Sequence, residues 1–83
     1  MIPDIAVEVV SPSDYPNLIN LIQLKIEKYL GAGIPLLVMV YPDRRTIRVY
    51  RHGSPPVDLE IGDVFDGGDV LPGFRLPVAE IFR

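Results

Sequence analysis

The sequence predicts an α/β fold, a small mixed β-sheet with one main helix. Three observations carry this: two strand-like apolar runs at residues 5–10 and 36–40, a helically periodic segment between them, and alternating segments after the second run. Strand, helix, strand in that order is long enough for a right-handed parallel crossover. The later alternating segments then add antiparallel neighbours, which makes the sheet mixed.

Residues 5–10, IAVEVV, are mostly β-branched and apolar on both faces, which suits a strand covered on both sides, and Ser-Pro-Ser at 11–13 ends it. Asp14 is placed to cap the helix that follows, and Pro16 to occupy its first turn. From residue 17 to 30 there is no glycine or further proline, until Gly31 and Gly33 stop the run. At ~100° per residue, Leu18, Ile19, Leu21, Ile22, Ile26 and Tyr29 gather on one side, and Asn17, Asn20, Gln23, Glu27 and Lys28 on the other. Leu24 is an apolar residue on the polar side. Lys25 is the reverse anomaly: its stem lies in the apolar stripe, so it must snorkel to solvent or meet a carboxylate.

LLVMV at 36–40 reads as a fully buried strand, and TIRVYR at 46–51 alternates as a half-exposed one. The turn YPDRR between them makes the pair an antiparallel hairpin. VDLEIG at 57–62 alternates again, and either adds an edge strand or pairs loosely. The remaining glycine- and proline-rich tail leads to a short helical turn started by Pro77, with Val78, Ile81 and Phe82 as packing residues. At 83 residues the chain is one domain spanning 1–83.

Composition narrows the function classes. Hydrophobic residues make up 48% and charged residues 23%, which excludes a disordered chain. With no cysteine, disulfide staples and thiolate metal sites are excluded. No apolar run reaches the ~18 residues of a membrane helix, and the N-terminus lacks a signal-peptide pattern, so the expectation is a soluble cytoplasmic protein. A net charge of −3 gives no whole-molecule attraction for nucleic acid. A local basic strip of Arg44, Arg45 and Arg48, with Arg51 beyond it, can still offset an acidic site.

Period-two geometry puts Asp4, Ala6, Glu8 and Val10 on one strand face, with Ile5, Val7 and Val9 on the other. Asp4 and Glu8 are separated by ~13 Å along a strand, too far to share one metal ion. Glu8 and Lys25 form the sharper pair, because each is a charge in an apolar setting and the crossover can bring them together. They are either a structural ion pair, which the pattern alone favours, or a hydrolytic site in which Glu8 holds a divalent metal and Lys25 handles water and phosphate charge. His52 in a turn, the DGGD turn at 66–69, and Ser11 and Ser13 have simpler roles in turns and caps.

The order of motifs resembles a known family. PDIAVEVVSPSD at 3–14, then Lys25, Tyr29 and Gly33 at four-residue spacing, then LLVMVYPDRRTIRVYR and GDVFDGGDVLPGFRLPVAEIF, is similar to the Uma-type putative restriction endonucleases of the PD-(D/E)XK nuclease superfamily. The resemblance implies a restriction-endonuclease-like core and Mg2+-dependent DNA cleavage. Glu8 would be the metal-binding acid, and Lys25 the lysine moved onto the helix from the position that Val10 occupies here. It also implies that the second metal-binding aspartate belongs to an N-terminal part of the family fold, ahead of the PD at Pro3 and Asp4. The expectation is therefore a truncated domain, inactive as an isolated monomer, with an exposed strand edge completed by a homodimer or a partner protein. Its alternative is a non-catalytic interaction or regulatory module. Arg44, Arg45 and Arg48 are the expected DNA contacts.

Overall fold

The most apolar run in the chain, residues 36–41, lies at the centre of the sheet in the computed structural model, which describes residues 3–11 and 18–83, with the side chains of 18 and 19 outside that description. The expected roles of Ser13, Asp14, Pro16 and Asn17 fall outside the described residues, as do the side chains of Leu18 and Ile19.

Elements follow the order β1 (Ile5–Val9), α1 (Leu18–Gly31), β2 (Leu36–Tyr41), β3 (Thr46–Arg51), β4 (Val57–Glu60), β5 (Val64–Asp66), β6 (Arg75–Pro77) and α2 (Val78–Ile81). The main sheet has the order β1-β2-β3-β4, and β5 pairs with β6 separately. β1 runs parallel to β2, β3 antiparallel to β2, and β4 antiparallel to β3. Only β2 and β3 have strands on both sides, which explains why Leu36, Leu37 and Met39 are fully buried.

Alternation divides the core into two layers. Leu37 and Met39 pack with Val10 and with Ile26 of α1, joined by Ile22 and Tyr29 at the margin. Leu36, Val38, Val40, Ile47 and Val49 face the other way, onto Phe65 and Val78 of the tail. The helix therefore covers one face of the sheet and the tail covers the other. Leu24 is 61% exposed, as its position on the polar side requires.

α1 ends in a hydrogen-bonded cap. Gly33 has φ 86°, its N–H donates to Leu30 O, and the N–H of Ile34 donates to Tyr29 O. This is the two-bond pattern that needs a left-handed residue just past the helix, a conformation glycine adopts without steric cost. Buried Ile34 then anchors the chain as it enters β2.

Two features differ from the sequence reading. β1 is covered on its helix side, but it lies at the sheet edge, and Val7 and Val9 are 58% and 64% exposed on the tail side. The tail also holds more regular structure than its glycines and prolines predict. Val64↔Pro77, Phe65↔Leu76 and Asp66↔Arg75 pair across it. Phe65 meets Phe74 edge-on, with ring centroids 6.2 Å apart, and Arg51 bonds the Asp66 carbonyl.

Candidate active site

Glu8 lies on β1 between Val7 and Val9, with its side chain on the face that α1 crosses. Its Cα is in register with that of Met39, whose buried side chain closes the site on the β2 side. Lys25 and Tyr29 stand one turn apart on α1, so both reach the same strand residue. Tyr29 Oη donates to Glu8 Oε1 at 2.6 Å. Lys25 Nζ donates to Glu8 Oε2 at 3.4 Å, with the lysine and glutamate side chains 49% and 22% exposed. Each oxygen of one carboxylate thus meets a different helix residue.

The contact raises the Tyr29 phenol above its ordinary value, first because the Glu8 carboxylate accepts its proton, then through desolvation and the nearby negative charge. Sequence reasoning placed Tyr29 among the packing residues and missed its bond to Glu8. The four-residue spacing from Lys25 is the signal that points to it, since residues so spaced share a helix face.

Asp4 is exposed and outside β1, and no hydrogen bond joins it to Glu8. Among the described residues, no three His, Cys, Asp or Glu side chains converge as a metal site. Glu8 is a hard oxygen donor, the right chemistry for Mg2+, but it is one carboxylate with both oxygens engaged. The described residues therefore do not form a self-contained Mg2+ site.

The arginines divide between the two faces of the sheet. Arg48 follows Met39 in the same lateral row and pairs with Asp58, through Nε–Oδ1 at 2.6 Å and a second bond at 3.0 Å. That fork holds the Asp58 carboxyl below the ordinary carboxylate range and raises the Arg48 guanidinium, which Tyr50 also supports. Arg44 lies over the Tyr41 ring at 5.6 Å, beside Arg48 in a shallow depression. Burial, mainly, raises the Tyr41 phenol, while Arg48 and Arg44 act against the rise. Arg45, at φ 54°, instead lines a groove of about 500 Å³ with Val7, Val9, Ile81 and Phe82 on the tail side. The structure therefore groups Arg44 with Arg48, apart from Arg45.

A family model described as Uma2, putative restriction endonuclease, matches residues 2–79. Among solved structures, a putative nuclease belonging to DUF820 from Anabaena variabilis aligns with a TM-score of 0.79 at 20% identity, over 99% of this chain and 45% of that one. The likeness shows a shared fold, and the chain spans under half the length of that structure. No curated protein matches the sequence.

Proposed function

The chain belongs to the Uma2 family, described as putative restriction endonucleases, and from that premise we propose that it forms the Glu8- and Lys25-bearing part of a DNA-hydrolysing domain. The observation that carries this reading is the meeting of Lys25 Nζ and Glu8 Oε2 at 3.4 Å, beside the open edge of β1. A buried ion pair would be a sufficient structural explanation, but this pair is open to solvent, and exposed pairs add little stability. Its placement suits a group that must reach substrate.

In this reading Glu8 supplies one carboxylate, and the Lys25 ammonium, on a flexible stem, turns from Glu8 toward a phosphate oxygen and offsets charge there. The second carboxylate comes from beyond these residues, carried by a second copy or a partner strand on the β1 edge. Mg2+ is the expected ion once that carboxylate is in place. Of the expected DNA contacts, Arg44 carries the most weight, because Arg48 is committed to Asp58 and Arg45 lies on the far face. Cytoplasmic DNA is the proposed setting; among the described residues no helix is long and apolar enough to cross a membrane.

A plasmid-nicking assay with Mg2+ or Mn2+ tests this reading, using the parent chain, Glu8→Ala and Lys25→Ala. Metal-dependent nicking that both substitutions abolish is the expected result once the sheet edge is filled by self-association or by a partner. Nicking that survives both rejects the site. Absence of nicking under every condition favours the second reading, a non-catalytic interaction module, which the exposed Val7 and Val9 support.

A further inference from the structure

β1 has one paired edge and one open edge. Its pairing with β2 is continuous from Ile5 to Val9, and the N–H of Val10 donates to Val40 O at 2.8 Å. Backbone groups alternate sides along a strand, so Ala6 and Glu8 also turn theirs to β2, while the N–H and C=O groups of Ile5, Val7 and Val9 point outward. Among the described residues no strand pairs with that side. Neither proline nor lysine interrupts Ile5–Val9, and its register with β2 has no bulge, so the usual devices that blunt an edge strand are missing. β4, at the opposite edge, is shorter and carries Asp58 and Glu60.

We propose that the open edge of β1 pairs antiparallel with β1 of a second copy of this chain, about a two-fold axis at Val7. This pairing is independent of any hydrolysis at Glu8. Charge and hydrogen bonding select its register from the symmetric alternatives. Centring on Ala6 sets Glu8 opposite Asp4, and centring on Glu8 sets it opposite its own counterpart, both like-charge contacts. Centring on Ile5 brings Pro3, which has no N–H, opposite Val7, and centring on Val9 runs past the end of the strand. A centre at Val7 pairs Val7 with its counterpart and Ile5 with Val9, so every outward N–H meets an outward C=O, and Glu8 faces the small Ala6. The axis then stands perpendicular to the sheet. Both main helices lie on one face, and on the other Val7 and Val9 of each copy join with Ile81 and Phe82 of both grooves as one apolar surface.

Light scattering and amide hydrogen exchange of the parent chain across a concentration series test the contact. Oxidation of Val7→Cys and Val9→Cys tests the register, with amide spectra and thermal midpoints as folding controls. Exchange at Ile5, Val7 and Val9 should slow about tenfold once about nine-tenths of the chains are paired, since only the free edge exchanges. The chain has no cysteine, so each variant offers a single thiol. Residues directly opposed in a hydrogen-bonded antiparallel pair have Cα atoms about 5.5 Å apart, within disulfide reach, whereas the two copies of Val9 stand ~13 Å apart along the strands. Val7→Cys should therefore form a disulfide-linked dimer at least about tenfold faster than Val9→Cys. The two positions are similarly exposed, at 58% and 64%, so chance collision does not separate them. A chain that stays monomeric up to millimolar concentration overturns the proposal and leaves the edge to a different polypeptide. A dimer whose Val7 and Val9 amides still exchange freely overturns it as well, and equal cross-linking of the two variants overturns the Val7-centred register.

Discussion

Tyr29 and Glu8, 21 residues apart in sequence, are joined by a 2.6 Å hydrogen bond that ties the main helix to the edge strand. The bond involves a charged acceptor and is partly buried, so its loss is expected to exceed that of the neighbouring ion pair. Tyr29→Phe should destabilise the fold by about 1–2 kcal/mol. Lys25→Ala, at an exposed pair, should cost about 0–1 kcal/mol. Urea unfolding of the two variants measures both, and a larger loss for Lys25→Ala would reverse the ranking.

The same bond gives the fold an alkaline limb. A phenol held above its ordinary value is stabilised in its protonated form, so the stabilisation is complete below about pH 10 and is lost as pH rises through the raised value. Tyr29→Phe should flatten the fall in stability above pH 10. Tyr41, raised mainly by burial, contributes its own share and should leave a residual slope. Thermal midpoints across pH 8–11 (a range of about one to two units around the tyrosine value) read the difference.

At low pH the Arg48–Asp58 fork governs. Asp58 is held below the ordinary carboxylate range, so its contribution is present above about pH 4 and disappears as pH falls through the lowered value. Both side chains are substantially exposed, at 44% and 62%, which limits the pair to about 1 kcal/mol. A double-mutant cycle with Arg48→Met and Asp58→Asn should show that coupling at pH 7 and lose it as pH falls through the lowered Asp58 value.

The sheet was legible because its strands differ in pattern. Residues 36–40 have no polar interruption and form the central strand, whereas 46–51 alternate and present Arg48 and Tyr50 on one face and Ile47 and Val49 on the other. The Glu8–Lys25 meeting was legible too, because both residues break apolar patterns on adjacent elements. Tyr29 was not, since an aromatic residue on an apolar stripe reads as packing, and its four-residue spacing from Lys25 is the one local sign of a shared partner. The β5–β6 pairing was obscured by the glycines and prolines between the strands. These residues build the turn that brings Phe74 to Phe65, a long-range contact without a periodic signature.

The edge of β1 yields a prediction about association. Val7 and Val9 are more than half exposed and line the groove with Ile81 and Phe82, so charges there should leave the fold intact. Val7→Lys with Val9→Lys is expected to change unfolding free energy by less than about 1 kcal/mol, as surface substitutions do. It should also weaken any self-association, because charged lysines on an exposed edge strand disfavour pairing with another chain. Light scattering across a concentration series checks this, and association equal to the parent's would place the contact elsewhere.

Two glycines provide a final contrast of opposite sign. Gly67 is buried, and a Cβ there would lie 2.5 Å from both the Cβ and the carbonyl oxygen of Leu71. The Leu71 backbone and side chain would both have to shift, and Gly67 N–H donates to Phe74 O at 2.8 Å across the turn that brings Phe74 to Phe65. Gly67→Ala should therefore cost about 1–3 kcal/mol, the usual scale of overpacking. Gly31, in the last turn of α1, has nothing within 4 Å of the same added atom and no left-handed φ. Gly31→Ala should instead stabilise by about 0.4–1 kcal/mol by restricting the unfolded chain. Paired denaturant titrations should move in opposite directions; a shared sign would mean that the close approach of residues 67 and 71 does not constrain the tail.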